Sequence, residues 1–373
     1  MAWLLLAIAC EQIPAGAFWP VVFGALTTPV ALALTGLLLL YWVRRNWRVA
    51  LLPALVLVLT WPHVQRGLAL NVRQWLTRQA GGAPLDNKAP TVPPRDAVRL
   101  LSANVRIFNL YAELRDPDFA SSKAFIRWLA QSPADVLCLQ EFYTEPKSAG
   151  KDGDVFQTEE YLGRGSGRHA FVSTSLTNAI GGEFGIAIFS RFPVVRRGTI
   201  PFGRLSQNHA MWADLARPAL PGRAADTIRV FNLHLQSMSM DENDIAAAAT
   251  SSAGLRQKAP NLLRRFRNGA MARGTQVDTV LAHVARSPSP VLLAGDLNDL
   301  PYSYAYDQLA DHLQNAWATA GLGIGATYNG KLPGLRIDQQ FVGPQWQVLD
   351  CRVHREIRWS DHFPIEALYQ LRR

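Results

Sequence analysis

The run from Ile13 to Val43 carries no charged side chain, and a second run, Val49 to Gln65, carries no acid, lysine or arginine either. Crossing ~30 Å of hydrocarbon takes roughly 20 apolar residues at 1.5 Å rise. Phe18 to Val43 is therefore long enough for one tilted transmembrane helix, and Val49 to about Val64 supplies a shorter second one. Met1 to Cys10 is apolar but too brief to cross alone, and it lacks the basic start of a signal peptide. Trp19, Trp42, Trp47 and Trp61 flank the runs as an aromatic belt would. Arg44, Arg45 and Arg48 fill the turn between the runs. The positive-inside rule puts that turn in the cytoplasm and everything after about residue 65 on the outer, periplasmic side. Arg66, Arg73 and Arg78 reduce the asymmetry. The expectation is a multi-pass, membrane-embedded N-terminus, residues 1–79.

Charge follows the same division. The chain has 373 residues and a net charge of +9. Residues 1–85 hold six arginines against Glu11 alone, which leaves +4 for the rest. Much of the positive charge is thus membrane-flanking, and the remainder is too mildly basic for a broad phosphate-binding surface. Residues 80–96 contain AGGAPLDNKAPTVPPR, a Pro/Gly-rich tether without periodicity.

From residue 97 to 373 the pattern changes to short apolar runs separated by amphipathic segments. Strands are predicted at Val98–Val105, Asp135–Glu141, Phe184–Ser190, Thr227–Leu235, Pro290–Leu297, Arg336–Val342 and Phe363–Tyr369, with a helix at Phe119–Gln131. Interleaved helix and strand argue for an α/β domain with sheet at its centre. Leu255–Arg273 holds six basic residues and no acid, either a solvated helix face or an element turned toward anionic lipid or nucleic acid. Cys10, Cys138 and Cys351 make no disulfide framework and read as free thiols. His169, His209, His283, His312 and His354 lack ligand spacing and read as surface or packing residues.

Several predicted strands end on polar groups. Val98–Arg106 offers Asn104, VLCLQE closes on Glu141, VFNLHLQ offers His234, LLAGDLND ends on Asp296 and Asn298, and the last strand is entered through Asp361 and His362. A buried carboxylate is costly unless it is paired or binds a metal. Each of these is unremarkable alone; together they suggest convergence on one cation.

The ordered series SANVR, LCLQEF, GIAIFSRFPV, FNLHLQS, LLAGDLND, LRIDQQF and SDHFPI resembles the endonuclease/exonuclease/phosphatase superfamily, which includes deoxyribonuclease I, abasic-site endonucleases, inositol polyphosphate 5-phosphatases and neutral sphingomyelinases. The likeness covers roughly residues 97–373. It implies a four-layer α/β/β/α sandwich with two mixed β-sheets and a site at one edge of the sheets, and the N-terminal hydrophobic hairpin is similar to that of membrane-anchored bacterial members.

Position by position, the resemblance makes Glu141 the direct ligand of a Mg²⁺ or Mn²⁺ ion, with Asn104 beside it and Asp361 as an additional or outer ligand. Hard divalent cations prefer such oxygen donors. Asp296 would orient or deprotonate the attacking water, and Asn298, two residues on along an extended strand, would share its face. His362 would hydrogen-bond a non-bridging phosphate oxygen, with Asp338 orienting its imidazole. His234 would act on the phosphate or the leaving oxygen, and Glu183 would pair with His234. One departure is that Gln339 and Gln340 follow Asp338 where the family commonly has an aromatic, which changes the wall of the site.

The expected activity is that of a metal-dependent phosphodiesterase with nuclease-like chemistry. A membrane-tethered hydrolase of phospholipid, sphingomyelin or phosphoinositide headgroups is the alternative, and an inactive membrane scaffold a third. No obligate protein partner is inferred.

Overall fold

The computed structural model describes residues 1–71, 76, 94, 96–111, 113–146, 155–203, 206–220, 224–237 and 252–372. Most of the expected tether lies outside them.

Two six-stranded sheets dominate. The first contains β2 (Val98–Asn104), β3 (Val136–Thr144), β4 (His169–Thr177), β5 (Glu183–Ser190), β13 (Trp346–Val353) and β14 (Ile365–Leu371), in the order β13-β14-β2-β3-β5-β4. The second contains β6 (Val194–Pro201), β7 (His209–Arg217), β8 (Asp226–His234), β9 (Val291–Asp296), β10 (Gln314–Asn315) and β12 (Asp338–Val342), in the order β10-β12-β9-β8-β7-β6. Both are mixed, and each has a single parallel pair, β2 with β3 and β8 with β9.

Leu100, Val136 and Cys138 of one sheet pack with Val230, Leu292 and Ala294 of the other. The opposite face of the first sheet is covered by Phe125, Ile126 and Leu129 of the helix Ala120–Gln131. The opposite face of the second is covered by Val277 and Val280 of the helix Ser252–Ala285 and by Tyr306 and Leu309 of the helix Tyr304–His312. Helix, sheet, sheet and helix thus form successive layers. Central strands are covered on both faces, so all six residues of β9 are buried and its sequence reads as an unbroken apolar run instead of an alternation.

Polar side chains also bridge the sheets. Asn232 of β8 donates from Nδ2 to the carbonyls of Leu139 and Ala187, both at 2.9 Å, and accepts from Gln140 Nε2 at 2.6 Å. Gln340 donates to the carbonyl of Ile365 at 2.8 Å and accepts from Tyr369 Oη at 2.6 Å.

The N-terminal expectation is corrected. The single span foreseen from Phe18 to Val43 is broken into the helices Ala15–Phe18, Val21–Leu26 and Thr28–Arg45. Pro20 lacks the N–H that would continue the first of them and begins the next; Pro29 sits in the first turn of the third. The second run forms Trp47–Leu59 and then bends by 68° into Trp61–Gly67, with Pro62 in its first turn. No single helix among the described residues is long and apolar enough to cross a membrane, and only this bent pair passes by length and composition together. β1 (Ala69–Leu70) then pairs antiparallel with β11 (Leu322–Gly323), tying the N-terminal helices to the sandwich.

Candidate active site

The two parallel pairs aim their C-terminal ends at the same edge. On the first sheet, Asn104 ends β2 in register with Gln140 of β3. The register with β5 slips between Leu139 and Phe142, and Glu141 adopts φ +48° there. A bulge of this kind re-aims a side chain. Here it turns Glu141 toward Asn104, whose Nδ2 donates to Glu141 Oε1 at 3.0 Å. On the second sheet His234 ends β8 in register with Asp296 at the end of β9, and Asp338 at the start of β12 is the antiparallel partner of Asp296. His362 enters beside Tyr328 just before β14.

These groups meet. Asn104 Nδ2 also donates to Asp296 Oδ2 at 3.1 Å, linking the sheets through one amide. His362 Nδ1 lies 2.8 Å from Asp338 Oδ2, and its Nε2 is 3.9 Å from Asp296 Oδ2. His234 Nε2 is 3.8 Å from Glu141 Oε1 and 4.0 Å from Asp296 Oδ2. Asp361 pairs with Arg106 at 3.3 Å.

The two histidines are driven in opposite directions. Burial alone would lower the pKa of His362, but the carboxylates of Asp338 and Asp296 overcome it and hold the imidazolium up to about 10. Burial lowers the pKa of His234 below its ordinary value. Asp296 is raised to about 6, first by burial and then by Asp338 opposite it. The edge therefore presents a cationic imidazole, a neutral one and a carboxylate titrating near neutrality, a division that acid–base chemistry requires.

Glu141, with 39% of its side chain exposed, and the partly exposed Asp361 offer hard oxygen atoms, and such donors fit Mg²⁺ or Mn²⁺. Asp296, Asp338 and His362 also lie close enough together to surround an ion.

Asn298 is not on the strand as foreseen. β9 stops at Asp296, and Asn298 takes φ +50° in a turn closed by its own N–H donating to Asp296 Oδ1 at 2.7 Å. Its side chain donates to the carbonyl of Leu235 at 3.0 Å. Glu183 lies apart from His234. It opens β5 opposite Thr144, beyond the bulge, and accepts from Thr174 at 2.6 Å instead. Gln339 and Gln340 do not form a wall of the site; both are fully buried in the hydrogen bonds between strands.

Sequence reasoning passed over Tyr328, whose ring meets His362 edge-on at 5.6 Å, and Thr327, whose Oγ1 accepts from the N–H of Asp338 at 3.1 Å. It also passed over the inward turn of Arg273. That residue is wholly buried and donates to Asp299 at 2.8 Å and to the Gln236 carbonyl at 3.1 Å, so it holds the two loops that leave His234 and Asp296. It had been counted within an acid-free basic segment, where nothing distinguishes one inward arginine.

A sequence profile of the Endonuclease/Exonuclease/phosphatase family matches residues 101–362, and the chain belongs to that family. A domain of unknown function matches residues 1–67. A search of curated proteins gives no match. Among solved structures, an endonuclease/exonuclease/phosphatase from Beutenbergia cavernae is similar with 21% identity and a TM-score of 0.51, over 74% of this chain and 72% of that one. Another from Bacteroides vulgatus has 17% identity and a TM-score of 0.50, over 74% and 99%. An endonuclease/exonuclease/phosphatase family protein from Leptotrichia buccalis has 16% identity and a TM-score of 0.51, over 74% and 100%. At these identities the likeness concerns the fold.

Proposed function

We propose that this protein is a divalent-metal-dependent phosphodiesterase whose reaction centre is the shared edge of the two sheets. The observation that carries the reading is the convergence of His362 and His234 on Asp296 at one edge of both sheets, beside the carboxylate of Glu141, with Asn104 donating to both carboxylates. Glu141, with Asp361 nearby, would hold a Mg²⁺ or Mn²⁺ ion, which would supply charge neutralisation at the phosphate. Asn104 fixes Glu141 and Asp296 relative to one another by donating to both.

A water oxygen attacks phosphorus as one of its protons passes to Asp296, and the P–O bond to the leaving group breaks. The Nε2–H of His362 donates to a non-bridging oxygen, where negative charge accumulates in the transition state. His234, held neutral, donates a hydrogen bond to the departing oxygen, which takes up its proton from solvent. Asp338 keeps His362 protonated and oriented throughout.

A phosphodiester in a lipid headgroup is a second reading for the substrate, favoured by the large apolar residues that the N-terminal helices leave exposed, Leu37, Leu51 and Val58 among them. Purified protein assayed with Mg²⁺ and Mn²⁺ on plasmid DNA, RNA, sphingomyelin and a bis-aryl phosphate decides between classes. Duplex cleavage should weaken steeply with salt. Asp296→Ala and His362→Ala should each lower kcat/KM by about 10²-fold or more. Turnover within about threefold of the parent for either variant contradicts the assignment.

A further inference from the structure

Asp296 at the end of β9 and Asp338 at the start of β12 are antiparallel partners, and the chain leads away from each of them to the same place. From Asp296 it runs through residues 297–303 into the helix Tyr304–His312. From Asp338 it runs back two residues to Arg336. The two paths are tied to each other at their start, where the N–H of Leu297 donates to the carbonyl of Ile337 at 2.9 Å. Both then end on one short helix of the N-terminal segment, Trp61–Gly67.

The first path ends on Tyr302. Its ring is buried against Gly67, where a Cβ would overlap the hydroxyl and stand 2.9 Å from Cζ, and the hydroxyl donates to the carbonyl of His63 at 3.3 Å. Gly67 lies in the last turn of its helix outside the left-handed region, so its backbone would accept alanine more readily than glycine. The space it leaves is filled by Tyr302. Farther along, Asp307 accepts from Arg66 at 2.6 Å, and Arg66 also reaches the fully buried Glu11 at 3.1 Å. The second path ends on Arg336. This arginine is buried, and among the described residues it donates to two carbonyls, those of Arg66 and Ile324, with its guanidinium 5.7 Å from the Trp317 ring. The last carbonyls of a helix have no partner within it and carry partial negative charge. Here one of them holds a guanidinium that no described carboxylate pairs.

We infer that the N-terminal segment is a working part of the hydrolytic domain, in which the helix Trp61–Gly67 braces the two strand ends that carry Asp296 and Asp338, with Gly67, Tyr302 and Arg336 as positioning residues. Asp296 faces the attacking water and Asp338 orients His362, so one displacement of this helix would misalign both. A module joined to the rest by chain alone would leave Tyr302, Asp307 and Arg336 in solvent; all three are buried, and β1 pairs with β11 immediately after the helix. The effect on turnover rests on the hydrolase reading of the edge; the bracing of residues 297–303 does not.

The test compares full-length parent and variants by steady-state hydrolysis of a bis-aryl phosphate with Mg²⁺ and by amide hydrogen exchange. Gly67→Ala should push Tyr302 aside and lower kcat about tenfold with KM nearly unchanged, since a misplacement of ~1 Å far from the chemistry costs up to about 10²-fold. The amides of residues 297–303 should exchange about tenfold faster, while those of β8 keep the parent rate. Tyr302→Leu makes room for the added methyl. In that background Gly67→Ala should change kcat by less than about twofold, the non-additivity expected of two groups in contact. Arg336→Met should also lower kcat, and Arg336→Lys, which keeps a cation for the Arg66 carbonyl, should restore most of it. Should Gly67→Ala fail to fold, Tyr302→Phe removes only the bond to His63 and should speed the same amides. The inference is overturned if Gly67→Ala lowers the melting temperature but keeps kcat within about twofold of the parent, if the losses from Gly67→Ala and Tyr302→Leu multiply, or if the amides of residues 297–303 exchange at the parent rate. A parent that cleaves no phosphodiester overturns the hydrolase reading and the effect on turnover with it, and the exchange rates then decide the bracing alone.

Discussion

Asp338→Asn isolates the source of the charge on His362. The substitution keeps the shape and an oxygen that can accept from Nδ1, and it removes only the negative charge 2.8 Å away. At an effective dielectric near 20, Coulomb's law gives about 6 kcal/mol for unit charges at that separation. That is enough to bring the imidazole from about 10 down to about 6 or below, since burial pushes it in the same direction. The neutral tautomer retained by Asn would keep its proton on Nδ1, leaving a lone pair on Nε2 where the proposed reaction needs a donor. The loss of one preorganised donor is worth about 10²–10³ in rate. Hydrolysis of a bis-aryl phosphate with Mg²⁺ should therefore fall by about that factor near pH 8.5. The deficit should shrink as pH falls through 6 toward 5, where the variant's imidazole regains its proton; the parent should show no such recovery, because its His362 stays charged throughout. A deficit under about threefold, or one equal at both pH values, would refute the argument that Asp338 acts by holding that charge.

Other perturbations follow from the same structure. Glu366 is buried among Arg99, Arg352 and His354, and although burial would raise its pKa, those partners hold it at about 2. Its stabilisation is present above its unfolded pKa near 4.5 and is lost as pH falls through about 2; Glu366→Gln should remove about 3 kcal/mol at neutral pH and flatten the acid limb, as read from urea midpoints between about pH 7 and pH 2.5. Asn232→Ala deletes three hydrogen bonds between the sheets and leaves the Gln140 amide only its 3.2 Å bonds to Ser102 and the Cys138 carbonyl, so about 3 kcal/mol should be lost in denaturant unfolding. Arg273→Met strands the buried Asp299 carboxylate and should cost about 3–5 kcal/mol. Adding Asp299→Asn should recover most of that stability while kcat stays depressed, since the tie to the Gln236 carbonyl is still missing.

The strands that carry the site were legible because their covering is two-sided. β2, β3, β8, β9 and β14 appear in the sequence as dense apolar runs, each ending or beginning near a polar group, and β12 was read despite Gln339 and Gln340 in its middle. β5 was read as well, at Phe184–Ser190, whereas β4, β6 and β7 were not, for definite reasons. β4 is an edge of the first sheet and β6 of the second, and both are partly solvent-facing, so each mixes polar and apolar residues without a clean period. β7 hides a charge, because Asp214 is bound by Arg229 through two contacts of 2.6 and 2.7 Å, with that guanidinium 4.0 Å from the Trp212 ring. No pattern of single residues announces a buried pair formed across strands. At the N-terminus hydrophobicity dominated the reading, while Pro14, Pro20, Pro29 and Pro62 divide the runs into shorter helices. Composition describes the environment of a segment and backbone chemistry sets its length.

What sequence could not supply is the backbone strain at the site. Eight non-glycine residues among those described take positive φ, and six of them adjoin the proposed catalytic edge: Arg106, Ile107, Phe108, Asn109, Glu141 and Asn298. Isoleucine and glutamate disfavour this region, so local propensity argues against the conformation observed. Each carries a cost of order 1–3 kcal/mol that surrounding structure must outweigh. It is outweighed by particular contacts. Phe108 is wholly buried against Phe125 and Phe142, the Asn109 side chain donates to the carbonyl of Trp359 at 2.8 Å, and Arg106 donates its N–H to Asn104 Oδ1 at 3.0 Å. That last bond orients the Asn104 amide so that its nitrogen faces Glu141 and Asp296. Relaxing the turn would free the amide to rotate and would uncouple the two sheets at the point where their carboxylates meet. The conflict between local preference and observed backbone is therefore concentrated where side-chain direction matters most, and the aromatic core behind Phe108 is part of what holds the proposed catalytic edge in place.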